Sequence, residues 1–374
     1  MRTRRSTRLG FQPPAIGEEE IAAVAETLRS GWLTTGPRAA LLEERMATFL
    51  EADHVLAVSS GTAALHLALL AVGVGPGDEV ITSPITWPAT ANVIEHCGAT
   101  PVFCDVRDGD LNIDATLIPE LVTERTRAIM PVHLAGQPAD LDPILALGLP
   151  VVEDAAHAAE SRYRGRKLGG ISDAACFSLY ATKNIAAGEG GLVATNRADV
   201  AESIRNMRLT RRGDGSHYDQ VSPGFKANLS DVLAAIALVQ LDRVEEHARI
   251  RAQQFALYDE GLAGLAGIAP LARDDRDLHA LHLYVVRIDA TEAGASRDEY
   301  QRALADALIA TSIHFLPVHR LTWFRERYPG QTALPVAERA GEEVLSLPVS
   351  PAHSDTDILD AVAAFRRLHE QFTG

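Results

Sequence analysis

Lys183 lies in TKNIAAGEGG (182–191), between an apolar run and a turn of small residues, Ala186, Ala187, Gly188, Gly190 and Gly191. Of 35 basic residues only Lys167, Lys183 and Lys226 are lysines, so a lysine kept in a close-packed turn invites a chemical reason. Loss of water there lowers the ammonium's pKa and makes the amine a usable nucleophile. The plain alternative is a solvated surface lysine. Asp154 ends the apolar run PVVED (150–154), and His157 follows three residues on. Ligands of open α/β sheets lie beyond the carboxyl ends of the strands. A carboxylate at that edge is desolvated unless it has a cationic partner. The plain alternative here is a helix-capping Asp with a solvent-side His. SSGTAA (59–64) follows another apolar run and opens a helical pattern. Free N–H groups, the helix dipole and a close backbone approach at Gly61 suit a phosphate, with Ser60 and Thr62 adding hydroxyls. The same residues also make an ordinary helix cap.

Together the three fit one chemistry. A phosphate cradle, an acidic residue and an amine are what pyridoxal 5'-phosphate needs: an anchor, a Schiff-base partner, and a carboxylate that keeps the pyridine nitrogen protonated. No GxGxxG follows the first strand-like run, which disfavours a nicotinamide enzyme.

The elements that must position these residues are legible as alternation. Strand-like runs at 55–60, 79–84, 100–106, 128–133, 150–154, 174–180 and 191–196 are nearly continuous apolar segments, with helical patterns such as 63–73 and 116–122 between several of them. Such runs are covered on both faces, which predicts an α/β domain with a mostly parallel, seven-stranded sheet. From Leu229 to about Leu262 the pattern becomes helical, with Leu241, Val244, Ala248, Ala252 and Phe255 as its apolar stripe. A smaller α+β domain follows, with a strand at 282–288 and helices at 296–308 and 357–372. The division expected is a tail over 1–15, a large domain over 16–240 and a connecting helix with a small C-terminal domain over 241–374.

The 374 residues carry a formal charge of −15, which argues against nucleic-acid or anionic-membrane partners. No apolar run approaches the roughly 20 residues of a membrane span. Arg4 and Arg5 are followed by Gly10, Gln12, Pro13 and Pro14 rather than an apolar stretch, which reads as a cytoplasmic start with a basic, mobile tail. Cys97, Cys104 and Cys176 fit no metal spacing and read as reduced core thiols. SRYRGRK (161–167) and RLTRRG (208–213) are local basic clusters that could meet a diphosphate, or simply be solvated arginines.

With these motifs in hand, the chain resembles the DegT/DnrJ/EryC1/StrS sugar aminotransferases. The resemblance runs from GFQPPAIGEEEI (10–21) through SGWLTTGP (30–37), VSSGTAALHLAL (58–69), PVHLAGQPADLD (131–142), VVEDAAHA (151–158) and TKNIAAGEGG to GFKANLSD (224–231) and the last helix. It implies fold type I of the pyridoxal-phosphate transferases. By position, Lys183 would carry the cofactor and shuttle the proton, and Asp154 would pair with the pyridinium nitrogen. His157 would lie near the ring's phenolic oxygen. Trp87 would stack on the ring, though it could be a plain core aromatic, and Gly61, Thr62 and Ser178 would hold the phosphate. Relatives often have GFN-x-R where this chain has Gly224–Asn228; in such dimers the segment reaches the neighbour's phosphate, so Asn228 or Lys226 would do so here. Thr34, Lys226, His314 and His319 would line the substrate side. The resemblance further implies a homodimer, L-glutamate as amino donor (leaving as 2-oxoglutarate) and a nucleotide-linked 4-keto sugar as acceptor. Within the family, the GFK-x-N pattern and SIHFLPVH (312–319) resemble the 4-aminotransferases, particularly the one that makes UDP-4-amino-4-deoxy-L-arabinose. A 3-keto-sugar aminotransferase and a sugar dehydratase stand as alternatives within the cofactor class. A non-catalytic nucleotide-sugar binder stands outside it.

Overall fold

In the computed structural model, residues 5–209, 223–331 and 333–374 are described. The seven strand-like runs become β1 (His54–Val58), β2 (Glu79–Thr82), β3 (Thr100–Phe103), β4 (Thr126–Met130), β5 (Val152–Asp154), β6 (Ala174–Ser178) and β7 (Gly191–Thr195). Ladders join β3–β2–β4 and β1–β7–β6–β5, and the single bridges Ile129–Val151 and Val132–Asp154 join β4 to β5. The result is one sheet in the order β3–β2–β4–β5–β6–β7–β1. All pairs are parallel except those of β7, which runs against both β6 and β1.

Both faces of this sheet are covered, which explains the continuous apolar runs. Val55, Ala57, Ala175, Phe177 and Leu192 face α2 (Pro37–Leu50), packing with Leu42, Met46 and Leu50, while α1 (Glu18–Ser30) packs on the helix Asp231–Asp242. Their neighbours Leu56, Val58, Cys176 and Val193 face α3 (Gly61–Ala71) and α4 (Ala89–His96), through Leu65, Ala68 and Val93. The three cysteines are free and buried.

The predicted connecting helix is two helices, α5 (Asp231–Asp242) and α6 (Val244–Leu262), broken at Arg243. The expected apolar stripe on α6 is only partly right. Val244 and Phe255 are buried, but Ala252 is exposed, and His247, Arg251 and Gln254 take inward positions. The helix divides: Arg251 and Gln254 meet polar partners in Glu160 and the Ser350 carbonyl, while Phe255, Tyr258 and Leu262 enter an apolar core. Beyond it, β8 (Ile268–Pro270), β9 (Tyr284–Ile288) and β10 (Val344–Leu347) form an antiparallel sheet. It packs with α6 and α7 (Asp355–Thr373) around Tyr258, Tyr284, Tyr300 and Phe365.

The N-terminal stretch departs from the mobile tail expected. From Arg5 it is docked: Arg5 pairs with Asp357 and Asp360, Leu9 is buried and bridges to Ile309, and the Pro13 carbonyl accepts from Ser350 Oγ at 2.6 Å. Among the described residues, no helix is long and apolar enough to cross a membrane.

Candidate active site

Three chain reversals at the carboxyl ends of the parallel strands bring the candidate residues together. The first is β1 into α3. Ser60 caps α3 by accepting from the Ala63 N–H at 3.0 Å, which leaves Gly61 and Thr62 at the positive end of the helix. The backbones crowd here: a Cβ on Gly191 would sit 2.3 Å from the Ser60 carbonyl oxygen, and one on Gly61 would sit 3.0 Å from the Ser178 Cβ. Ser178 therefore stands against the first turn of α3, as a phosphate cradle requires.

The second reversal follows β5. Asp154 is buried, accepts from Thr90 Oγ1 at 2.7 Å and from the Ala156 N–H at 3.2 Å, and faces the positive charge of Lys183. Burial nevertheless raises its pKa, a net cost that a pyridinium partner would relieve. Thr90 sits on α4 and is itself within 2.7 Å of the Thr86 hydroxyl. Trp87, at the start of α4, keeps 64% of its surface exposed, with its ring 6.3 Å from Phe315. That rules out the plain core aromatic and leaves the ring free to cover a flat ligand.

The third is the turn after β6. Lys183 is partly buried, its N–H bonded to the Tyr180 carbonyl at 2.8 Å. Burial pushes its pKa down to about 8, with Asp154 pulling the other way. Neutral imidazoles surround it. Burial drives His157 and His282 well below the ordinary histidine range and His314 to about 3, and the Lys183 charge adds to each. His157 lies stacked on Phe315 (centroids 5.9 Å apart), and its Nδ1 is buried without a hydrogen-bond partner among the described residues. A cradle that a Cβ would fill, a desolvated carboxylate, a low-pKa amine and an orphaned ring nitrogen fit pyridoxal phosphate.

The remaining candidates divide. Lys226 is exposed and donates to Asn228 Oδ1, and Asn228 Nδ2 donates to Thr35 Oγ1. The Ala227 carbonyl accepts from Ser59 at 2.8 Å, so this segment abuts the cradle. Thr34 is exposed beside it, its carbonyl bonded to the Asp231 N–H. His314 faces the cleft, with Nδ1 2.8 Å from Ser346 Oγ. His319 does not join them. It is buried beside Phe103, with Nε2 3.4 Å from Glu338, and Lys183 is not among the charges acting on it. Of the arginines at 161–167, Arg162 is paired with Glu51 and Arg164 with Asp140 and Asp142, while Arg166 is exposed. Of the second basic cluster, residues 210–213 lie outside the described residues. Sequence reading missed Thr90, Asn184, His282 and Phe315. Thr90, one helical turn beyond Trp87, carried a local signal; the others are brought in by long-range packing alone.

A model of the DegT/DnrJ/EryC1/StrS aminotransferase family matches residues 14–366. The chain belongs to that family. The spore coat polysaccharide biosynthesis protein SpsC of Bacillus subtilis (strain 168) is 44% identical over 381 aligned positions, covering 98% of each chain. The PMP form of Spr1654 from Streptococcus pneumoniae superposes with a TM-score of 0.92 at 34% identity, covering 98% of each chain, and its PLP form does so equally well. DesI, solved in the presence of its TDP-sugar product, gives a TM-score of 0.90 at 32% identity, covering 99% of this chain and 94% of its own. DegT/DnrJ/EryC1/StrS aminotransferases share fold type I and use pyridoxal phosphate, so this chain is a pyridoxal-phosphate aminotransferase of a family whose matched members include sugar aminotransferases.

Proposed function

We propose that the protein transfers an amino group from L-glutamate to the C4 ketone of a nucleotide-linked sugar and works as a homodimer in amino-sugar biosynthesis. The observation that carries the catalytic half is the placement of the Lys183 amine opposite buried Asp154 at the carboxyl edge of the sheet. The sugar half rests on the family and on DesI, whose structure was solved with a TDP-sugar product.

When bound, pyridoxal phosphate supplies an electron sink that acidifies the carbon bearing the transferred nitrogen. The protein's part is positional and acid–base. Gly61, Thr62 and Ser178 would hold the phosphate, with Asn228 or Lys226 of a second copy completing the cradle. Asp154, steadied by Thr90, would stabilise positive charge on the ring nitrogen. Trp87 would cover the ring, and His157 would stand at the phenolic oxygen. Lys183 would be the group that carries the proton between the two carbons. Thr34, Lys226 and His314 rim the opening where the sugar enters.

Visible absorbance tests this reading. The cofactor-loaded protein is treated with L-glutamate, freed of donor, and mixed separately with a UDP-4-keto-pentose and a dTDP-4-keto-6-deoxyhexose. Recovery of the original band with one of them supports C4 transfer and identifies the sugar class. No recovery with either defeats the 4-keto assignment and turns attention to 3-keto sugars.

A further inference from the structure

Behind Lys183 runs a buried chain of polar groups that the proposed reaction leaves unused. Asn184 is buried, and its amide is fully engaged. Nδ2 donates to Glu160 Oε2 at 2.8 Å and to the Ala280 carbonyl at 2.8 Å. Glu160 receives Arg251 Nη2 from α6 and is therefore a carboxylate; it and the carbonyl can only accept. The orientation of the Asn184 amide follows. Its Oδ1 faces His282 Nδ1 at 2.9 Å, so His282 must donate there. The His282 ring in turn lies 4.5 Å from that of His157, tilted by 35°. Asn184, Glu160, Arg251 and His282 are all at least nine-tenths buried.

We propose that Asn184 is a positioning residue: it fixes His282 in the Nδ1–H form, holds His157 against it, and ties the Lys183 turn to α6 through Glu160 and Arg251. This rests on reading Lys183 and His157 as cofactor residues. The titratable and charged groups around His282 are Lys183, His157, His314, His279 and Arg251; Glu160, the acid of this network, meets Arg251 and the Asn184 amide rather than His282. Asn184 offers His282 a neutral acceptor, so His282 gains a fixed donor role without a charge. An apolar side chain at 184 would remove that acceptor.

The experiment is histidine-selective nitrogen NMR on the cofactor-loaded full chain, with the His282 signal assigned by its loss in His282→Gln. In the wild type, His282 is expected to be protonated at Nδ1 and uncharged below the ordinary histidine midpoint. Asn184→Leu, close in size and without the acceptor, is expected to abolish the preference for the Nδ1–H form and to move the pH midpoint of the visible band. An Nε2–H form in the wild type overturns the proposal, and that measurement needs no variant to fold. So does an unchanged preference for the Nδ1–H form in folded Asn184→Leu. A chain that takes up no cofactor and shows no visible band defeats the proposed function instead, and the His282 tautomer in that chain still decides this inference.

Discussion

Two lysines of this chain are lowered alike by burial and sit in different surroundings. Lys167, in the hairpin Arg162–Lys167, and Lys183, in the turn after β6, are both pushed down to about 8 by burial. Lys167 is spent on structure: its Nζ donates to the Glu160 carbonyl at 3.1 Å and lies 4.0 Å above the centre of the Phe49 ring. The Lys183 charge meets that of buried Asp154 and is spent on no side-chain hydrogen bond among the described residues. A depressed lysine pKa therefore reports burial, not function. What separates the two is whether the amine's neighbours consume it or leave it available to a ligand.

The largest effect should come from breaking the available side. Lys183→Ala is expected to abolish the protein-linked visible band and lower turnover by about 10⁴-fold, the upper range for a positioned acid–base group. Borohydride trapping followed by peptide mapping should mark Lys183 in the wild type; a mark on Lys167 would collapse the distinction. Asp154→Asn comes next. Removing the one charge that supports the Lys183 ammonium should carry its midpoint below about 8 in the cofactor-free protein, read from the pH dependence of amine modification. It should also slow transamination by about 10² to 10³-fold, the scale seen when one preorganised electrostatic partner is lost.

The consumed side is read in stability. Lys167 is charged in both states below about pH 8, so its burial cost is fully present there. Between about 8 and the unfolded value near 10.4, only the unfolded chain holds the proton, and stability rises with pH. Relative to Lys167→Met, wild-type stability in urea should gain at most about 3 kcal/mol across that window; a flat difference would show that the amine is better solvated than its surroundings suggest. The smallest effect is expected from Phe49→Leu, a loss of about 1 kcal/mol from the cation–ring contact with transamination unchanged.

Much of this architecture was legible because burial writes itself into the chain. The seven strands could be located because both faces of the sheet are covered, leaving Val55 and Leu56 equally apolar though they point to opposite sides. The reversed direction of β7 was not legible, since a buried strand reads the same either way. Nor was the docking of residues 5–15, which depends on Asp357, Asp360 and Ser350, more than 300 positions away. At the site, Lys183, Asp154 and the Gly61 turn announced themselves by type and position. His282 and Asn184 could not, because a histidine and an asparagine acquire their roles from each other across 98 residues. His319 differs again: its motif suggested the sugar side, and the structure packs it beside Phe103.

Asp231 accepts from the N–H groups of Gly36, Arg38 and Ala39, so that the start of α5 caps the start of α2. Thr35 hydroxyl donates to the Leu229 carbonyl in the same junction. The segment carrying Thr34 and the segment carrying Lys226 and Asn228 are thus one piece of furniture, though nearly 200 residues separate them. Anyone retuning the acceptor range by grafting residues 30–37 from another transaminase would have to transplant 226–231 with them, or the new rim would arrive without its hinge pin.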